Sequence, residues 1–211
     1  MAAAKARPGR AKTPDLLTLA FEIVAETGWR GFSFTELADR AGLPMSELRE
    51  SFSGRSDLLD ALSRHLDQAM LAVDSDDMEG LPPRDRVFEM IMSRLEAMAP
   101  FRAGMCRLIG DARFDPELIL ISVCRLDRSI GWLQDAAGLG EGRRRSPLGE
   151  IRHRLQRRIL GVVYLQTLNV WASDDSADLA KTMASLDKQL RRMESLAGLA
   201  RDHAESKADA G

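Results

Sequence analysis

Apolar residues recur at intervals of three and four through nearly all of this chain, and no β-branched or aromatic run alternates long enough to make a strand. The sequence therefore specifies an all-α protein. Leu16, Leu19, Ile23 and Val24 share one face of a first helix that stops at Gly28, and Trp29, Phe32 and Phe34 follow as local core. Val87, Phe88, Ile91, Met92, Leu95 and Met98 stripe a later helix halted before Pro100, and further helices are predicted at about 102–111 and 116–137. From Ile159 to Trp171 apolar residues occupy most of the circumference, which predicts a central helix wedged between neighbours. Leu179, Met183, Leu186, Leu190 and Met193 then recur in a heptad-like a/d seam, on a last helix capped by Asp175 or Ser176.

With 211 residues the chain is long enough for one sizeable core or two modest ones. Its 30 basic and 32 acidic side chains leave a net charge of −2, so a nucleic-acid site has to be local rather than spread over the molecule. Lys5, Arg7, Arg10 and Lys12, with no acid among residues 1–14, make a flexible basic arm. Cys106 and Cys124 lie in apolar-periodic segments without paired-cysteine spacing, which predicts reduced core thiols, no metal and a cytoplasmic setting. The N-terminus lacks the apolar stretch of a signal peptide, and the run 159–171 is too short to span a bilayer.

Residues 34–52, FTELADRAGLPMSELRESF, read as two short helices hinged at Gly42-Leu43-Pro44. Ser33-Phe34-Thr35-Glu36 fits a capping box, in which the serine oxygen accepts from the third helical amide and the glutamate reaches back to the serine amide. Gly42 allows the tight turn, and Pro44 fixes φ where the next helix has no use for an amide donor. Leu48 and Phe52 stand four apart and point inward, leaving Met45, Ser46, Arg49 and Glu50 among the outward positions, where they can enter a groove.

Gly28, Leu37-Ala38, Ala41-Gly42, Leu48-Arg49, Ser51-Phe52, Arg55 and Leu58 together resemble, in register over residues 15–60, the DNA-binding segment of TetR-family transcriptional regulators. The resemblance implies an all-α, TetR-like fold of about nine helices: arm 1–14, helix-turn-helix domain 15–60, ligand-binding and dimerisation domain 61–203, and disordered tail 204–211. It also implies a ligand-responsive regulator, a repressor in the usual case, that binds a palindromic operator in double-stranded DNA as a homodimer and releases it when an effector changes the spacing of the heads. The implied DNA-binding residues are Lys5, Arg7, Arg10, Lys12, Ser33, Thr35, Met45, Ser46, Arg49, Ser51 and Arg55. The family's tyrosine, histidine and lysine are replaced by Arg49, Ser51 and Arg55. Between Asp15 and Leu59 four arginines face eight acids, so Glu47 and Glu50 oppose docking unless one accepts from a cytosine amine.

The remainder implies an effector-binding body. Met90, Met98, Met105, Cys106, Ile109, Trp132 and Tyr164 fall on helices that enclose the ligand pocket in TetR-like proteins, with methionine suited to a small apolar effector or lipid and Tyr164 a polar handle. Leu155, Ile159, Val162, Leu179, Met183, Leu186, Leu190 and Met193 fall on the last two helices, which pair with their symmetry mates in that family. The body from Arg84 to Leu190, most strongly around Pro100-Phe101-Arg102 and from Trp171 to Leu190, is also similar to the ubiquinone-biosynthesis accessory proteins that share this fold, which implies, as an alternative, a lipid- or isoprenoid-binding accessory protein without DNA binding. Their membrane helix has no counterpart in the polar residues 201–211. Gly138-Leu139-Gly140-Glu141-Gly142 lacks the strand that a phosphate-binding glycine loop needs, and Arg143, Arg144 and Arg145 extend it as a solvated loop. No catalytic motif is present, His65, His153 and His203 are scattered, and neither an enzyme nor a cofactor is expected.

Overall fold

In the computed structural model, residues 13–73, 78–139 and 147–208 are described. Among them the regular structure is helical: α1 (Thr13–Gly31), α2 (Phe34–Ala41), α3 (Met45–Ser51), α4 (Arg55–Leu71), α5 (Pro83–Ala97), a 3-10 turn (Ala99–Phe101), α6 (Arg102–Ala112), α7 (Pro116–Ala136), α8 (Pro147–Ala172) and α9 (Ala180–Ala208). The all-α expectation holds. Pro14 lies in the first turn of α1, where a missing amide costs nothing. Gly28, at φ 76° and ψ 167°, breaks α1 at the expected residue, and a last turn of helix follows it.

Two compact units arise from this chain, one of residues up to His65 together with Ala99–Ser122, the other of Leu66–Met98 together with Val123 onward. In the first, α1 packs along α6 and against α2, and α2 packs on α3. Leu16, Leu17, Ala20, Phe21, Ile23 and Val24 of α1 are buried, with Phe32, Leu37, Leu48, Phe52, Leu58, Phe101 and Leu108. The helices approach closely at Gly104, where an added Cβ would lie 2.3 Å from the Phe21 carbonyl oxygen. Only a residue without a side chain fits there. Aromatic edges continue the core, with the Phe21 ring 5.7 Å from Phe101 and Phe32 5.2 Å from Phe34, both edge-to-face.

In the second unit, α9 packs on α8 and α5. Leu186 and Leu190, expected in a dimer interface, are fully buried within the chain. At these two positions the α9 seam is covered at home, while Leu179, Met183 and Met193 are half-buried; an a/d pattern alone does not say which helix does the covering. Asp174 and Ser176 build the start of α9, rather than Asp175. The Asp174 carboxylate accepts from the Thr182 amide at 2.9 Å and its hydroxyl at 2.7 Å, and from the Ser176 amide at 3.1 Å and its hydroxyl at 2.5 Å, while Ser176 Oγ accepts from the Ala180 amide at 3.1 Å. The Ser176 hydroxyl and Thr182 hold this buried carboxyl well below the usual carboxylate range, outweighing the opposing effect of burial. Leu179, just ahead of α9, sits at φ 54°, a left-handed conformation uncommon for a bulky residue.

Several boundaries move. α9 runs to Ala208, through residues 204–208 expected as tail, because alanine, glutamate and lysine dominate there without a proline. Cys124 is exposed rather than in the core, since α7 carries apolar residues on two faces. The arm residues Lys5, Arg7, Arg10 and Lys12, the acidic stretch 74–77 and the glycine-arginine segment 140–146 lie outside the described residues.

Candidate nucleic-acid interface

The helix-turn-helix is assembled from local chemistry. Ser33, extended at φ −128°, accepts the Thr35 amide on its Oγ at 3.2 Å and the Leu37 amide on its carbonyl at 3.1 Å. Of the expected capping box only the serine half forms, and its oxygen meets the second helical amide, that of Thr35, rather than the third. Glu36 turns to Arg40, whose Nη2 lies 2.5 Å from Glu36 and 2.5 Å from Glu26. The guanidinium of Arg40 holds the Glu26 carboxyl below its ordinary range, and the two carboxylates raise the pKa of Arg40 in turn. Gly42 ends α2 at φ 65°, its amide donating to Asp39 and that of Leu43 to Ala38. Such a turn favours glycine. Pro44, at φ −69°, then starts α3.

On α3, Leu48 and Phe52 are buried, while Met45 is 49% exposed and Ser46, Glu47, Arg49, Glu50 and Ser51 face water. Of the sequence-predicted residues, Met45, Ser46 and Arg49 share this outer face, and Thr35 is exposed on the first turn of α2. Others are engaged within the chain: Ser33 as a cap, Ser51 donating to the Glu47 carbonyl at 3.4 Å, and Arg55 donating to the carbonyls of Arg30 at 3.3 Å and Trp29 at 3.5 Å. Sequence reasoning missed the groups that set this geometry. Asp111 on α6 accepts the Trp29 amide at 2.8 Å, and Asp115 and the Phe114 carbonyl hold Arg30. Asp57 accepts the Ser53 amide at 2.6 Å and fixes the turn into α4. An Asp57 in the first turn of α4 was a readable signal; Asp111, 82 positions from Trp29, carried none.

The residues expected to line an effector pocket divide between the units: Met105, Cys106 and Ile109 belong to the first, and Met90, Met98, Trp132 and Tyr164 to the second. Met90 and Met98 are buried, but Trp132 is 57% exposed and lies on the surface of α7. Tyr164 is buried in a network that the sequence did not disclose. Its hydroxyl accepts from Arg94 Nε at 3.1 Å, Arg94 Nη1 donates to Asp67, and Ser129 donates to the other Asp67 oxygen at 3.0 Å. The Arg94 guanidinium also sits 5.6 Å from the centre of the Tyr164 ring. Burial disfavours its charge, yet Tyr164 and Asp67 more than offset this and raise its pKa. These partners come from α4, α5, α7 and α8, so one polar cluster ties four helices of the body.

The helix expected to be wedged on all sides, α8, is buried on one face only. Leu160, Val163, Tyr164, Thr167 and Trp171 point inward, while Ile151, Leu155, Ile159, Val162 and Leu165 remain 62%, 57%, 38%, 52% and 47% exposed. At about 100° per residue these five fall on one side of the helix. Arg152 and Arg158 are exposed beside them, and Arg154 pairs with Glu150 at 2.9 Å. No helix among the described residues is long and apolar enough to cross a membrane.

Comparison with known proteins matches the same architecture. The TetR transcriptional regulator from Nitrosomonas europaea ATCC 19718 superposes with a TM-score of 0.67 at 24% identity, over 86% of this chain and 98% of that one. A transcriptional regulator from Rhodococcus sp. Rha1 gives 0.50 at 21% identity, covering 86% and 95%. The regulator FadR from Bacillus subtilis, solved with stearoyl-CoA, gives 0.52 at 17% identity, covering 85% and 97%. No curated protein matches the chain. The COQ9 family model matches residues 150–197, which span nearly all of α8 and the first two-thirds of α9. The chain thus has the fold of TetR-family regulators, with a COQ9-like segment confined to its closing helices.

Proposed function

We propose that the chain is a ligand-responsive, DNA-binding transcriptional regulator that works as a homodimer and represses when unliganded. The observation that carries this reading is the stance of α3, which buries Leu48 and Phe52 and leaves its whole outer face to solvent behind a turn set by Gly42 and Pro44. A helix held this way can lie in the major groove, reading base edges while neighbouring groups hold phosphate. The surface around it supplies little positive charge, because Arg40, Arg30 and Arg55 are each engaged within the chain. The arm residues Lys5, Arg7, Arg10 and Lys12 are therefore assigned most of the phosphate neutralisation. The exposed apolar side of α8 supports pairing of two copies through Leu155, Ile159 and Val162, with α9 behind it as internal support. Two heads must then stand about 34–36 Å apart to hold both half-sites, and an effector that favours another spacing releases DNA.

Binding to fragments of the gene's own upstream region, measured by fluorescence anisotropy between about 50 and 200 mM salt, tests this. Affinity should fall steeply with salt and collapse when residues 1–14 are removed. No binding at low salt contradicts the regulator reading, and undiminished binding without the arm contradicts the assigned source of affinity.

A second reading is favoured by the COQ9 match over residues 150–197: a lipid- or isoprenoid-binding accessory protein whose head does not engage DNA. Both readings admit an apolar or acyl effector, as in the stearoyl-CoA complex of the B. subtilis regulator. Native mass spectrometry of the purified chain separates them when paired with the DNA titration. A retained lipid together with no affinity for any upstream fragment selects the accessory role.

A further inference from the structure

The outer face of α3 is acidic at its centre, an odd property for a helix meant to meet a polyanion. At about 100° per residue, the direction opposite the mean of Leu48 and Phe52 falls on Glu50, with Ser46 and Glu47 to either side and Arg49 further round. All four are exposed. On the head, Glu26 and Glu36 are neutralised by Arg40, and Asp57 accepts the Ser53 amide. Glu50 has no basic partner among the described residues, and it points where the proposed duplex has to lie.

Resting on the regulator reading, we infer that Glu50 is a specificity-determining residue that selects a cytosine in each half-site of the operator. A carboxylate in the major groove needs a donor. Adenine offers N6 beside the N7 acceptor, which repels a second lone pair, and guanine and thymine offer acceptors or a methyl group. Cytosine offers its N4 amine with no acceptor on its own exposed edge. A C·G pair under Glu50 turns an unfavourable charge into a charge-assisted hydrogen bond. Other pairs set the carboxylate beside an acceptor or a methyl group, so discrimination comes more from rejecting wrong sites than from strengthening the right one. A head with few free cations suits this arrangement, since weak general affinity leaves base choice decisive.

Selection from a pool of randomised duplexes, with the full chain and with Glu50→Gln and Glu50→Ala, tests the inference. The unaltered protein should fix C·G at one position per half-site. Glu50→Gln should move that position to A·T, because an amide can pair with both N6 and N7 of adenine, while the other positions stay as they were. Glu50→Ala should accept any pair there. Replacing that cytosine by thymine should weaken the unaltered protein roughly 10- to 100-fold and leave Glu50→Ala nearly unchanged. The same selected sequence from all three proteins overturns the role of Glu50 while sparing the regulator reading. Failure of every version to retain any duplex at low salt removes both.

Discussion

The two closing helices both carry long apolar patterns, yet they use them differently. α9 covers Leu186 and Leu190 completely against α8 and α5, and its first turn is fixed by the buried Asp174 carboxylate. α8 buries Leu160, Val163, Tyr164 and Trp171 but leaves Ile151, Leu155, Ile159, Val162 and Leu165 in water. Isolated exposed apolar residues are ordinary, whereas five on one side of one helix are a surface in want of a partner. The pattern that looked most like an interface, the α9 seam, is core at Leu186 and Leu190, and the segment that looked most like core has the free face.

Substitutions on the two surfaces should therefore separate cleanly. Leu190→Ala removes a fully buried side chain and should cost about 2–5 kcal/mol of protomer stability, measured by urea unfolding at a protein concentration where copies are apart. A loss below 1 kcal/mol, with a change in oligomeric state instead, would return α9 to the interface and reverse the comparison. Asp174→Asn should come next. Because the folded carboxyl titrates below its unfolded value of about 3.9, the stability it supplies is complete above that pH and fades as acid protonates it. The gap in Tm between the unaltered chain and the Asn variant should be constant from about pH 5 to 7 and narrow towards pH 3. A gap that widens in acid would show that the carboxyl is not held as the hydrogen bonds indicate. Smallest in stability, within about 0.5 kcal/mol, should be the paired change Ile159→Glu with Val162→Glu on the outer side of α8. Its effect should be read by light scattering as loss of the dimer.

Much of the head was legible because its determinants are local. Gly28, Gly42 and Pro44 announce their backbone conformations, and Leu48 and Phe52 announce the inward face of α3. Glu36 misled, since a nearby Arg40 competes for its carboxylate and charge pairing won over the reach back to Ser33. In the body, periodicity located the helices but not their neighbours. Spacing shows that a face is apolar; it does not show whether that face meets α5 or a second molecule. Trp132 illustrates the same gap, placed in the pocket by the resemblance to the helices that enclose one in TetR-like proteins, where the fold leaves it outside. The Asp67–Arg94–Tyr164–Ser129 cluster was illegible for another reason. Its members are 27 to 70 positions from Arg94 or Asp67, and apart from Tyr164, read as a pocket's polar handle, each alone reads as an ordinary helix-surface residue.

The account stands on two copies, joined through the outer face of α8, presenting two α3 helices to one duplex. Sedimentation velocity of a fluorescent upstream fragment with the full chain, at about 50 mM salt, tests this most directly. The account predicts two chains per duplex, and no complex at the same concentration when Ile159 and Val162 are both changed to Glu. One chain per duplex, or equal binding by the altered protein, would contradict it.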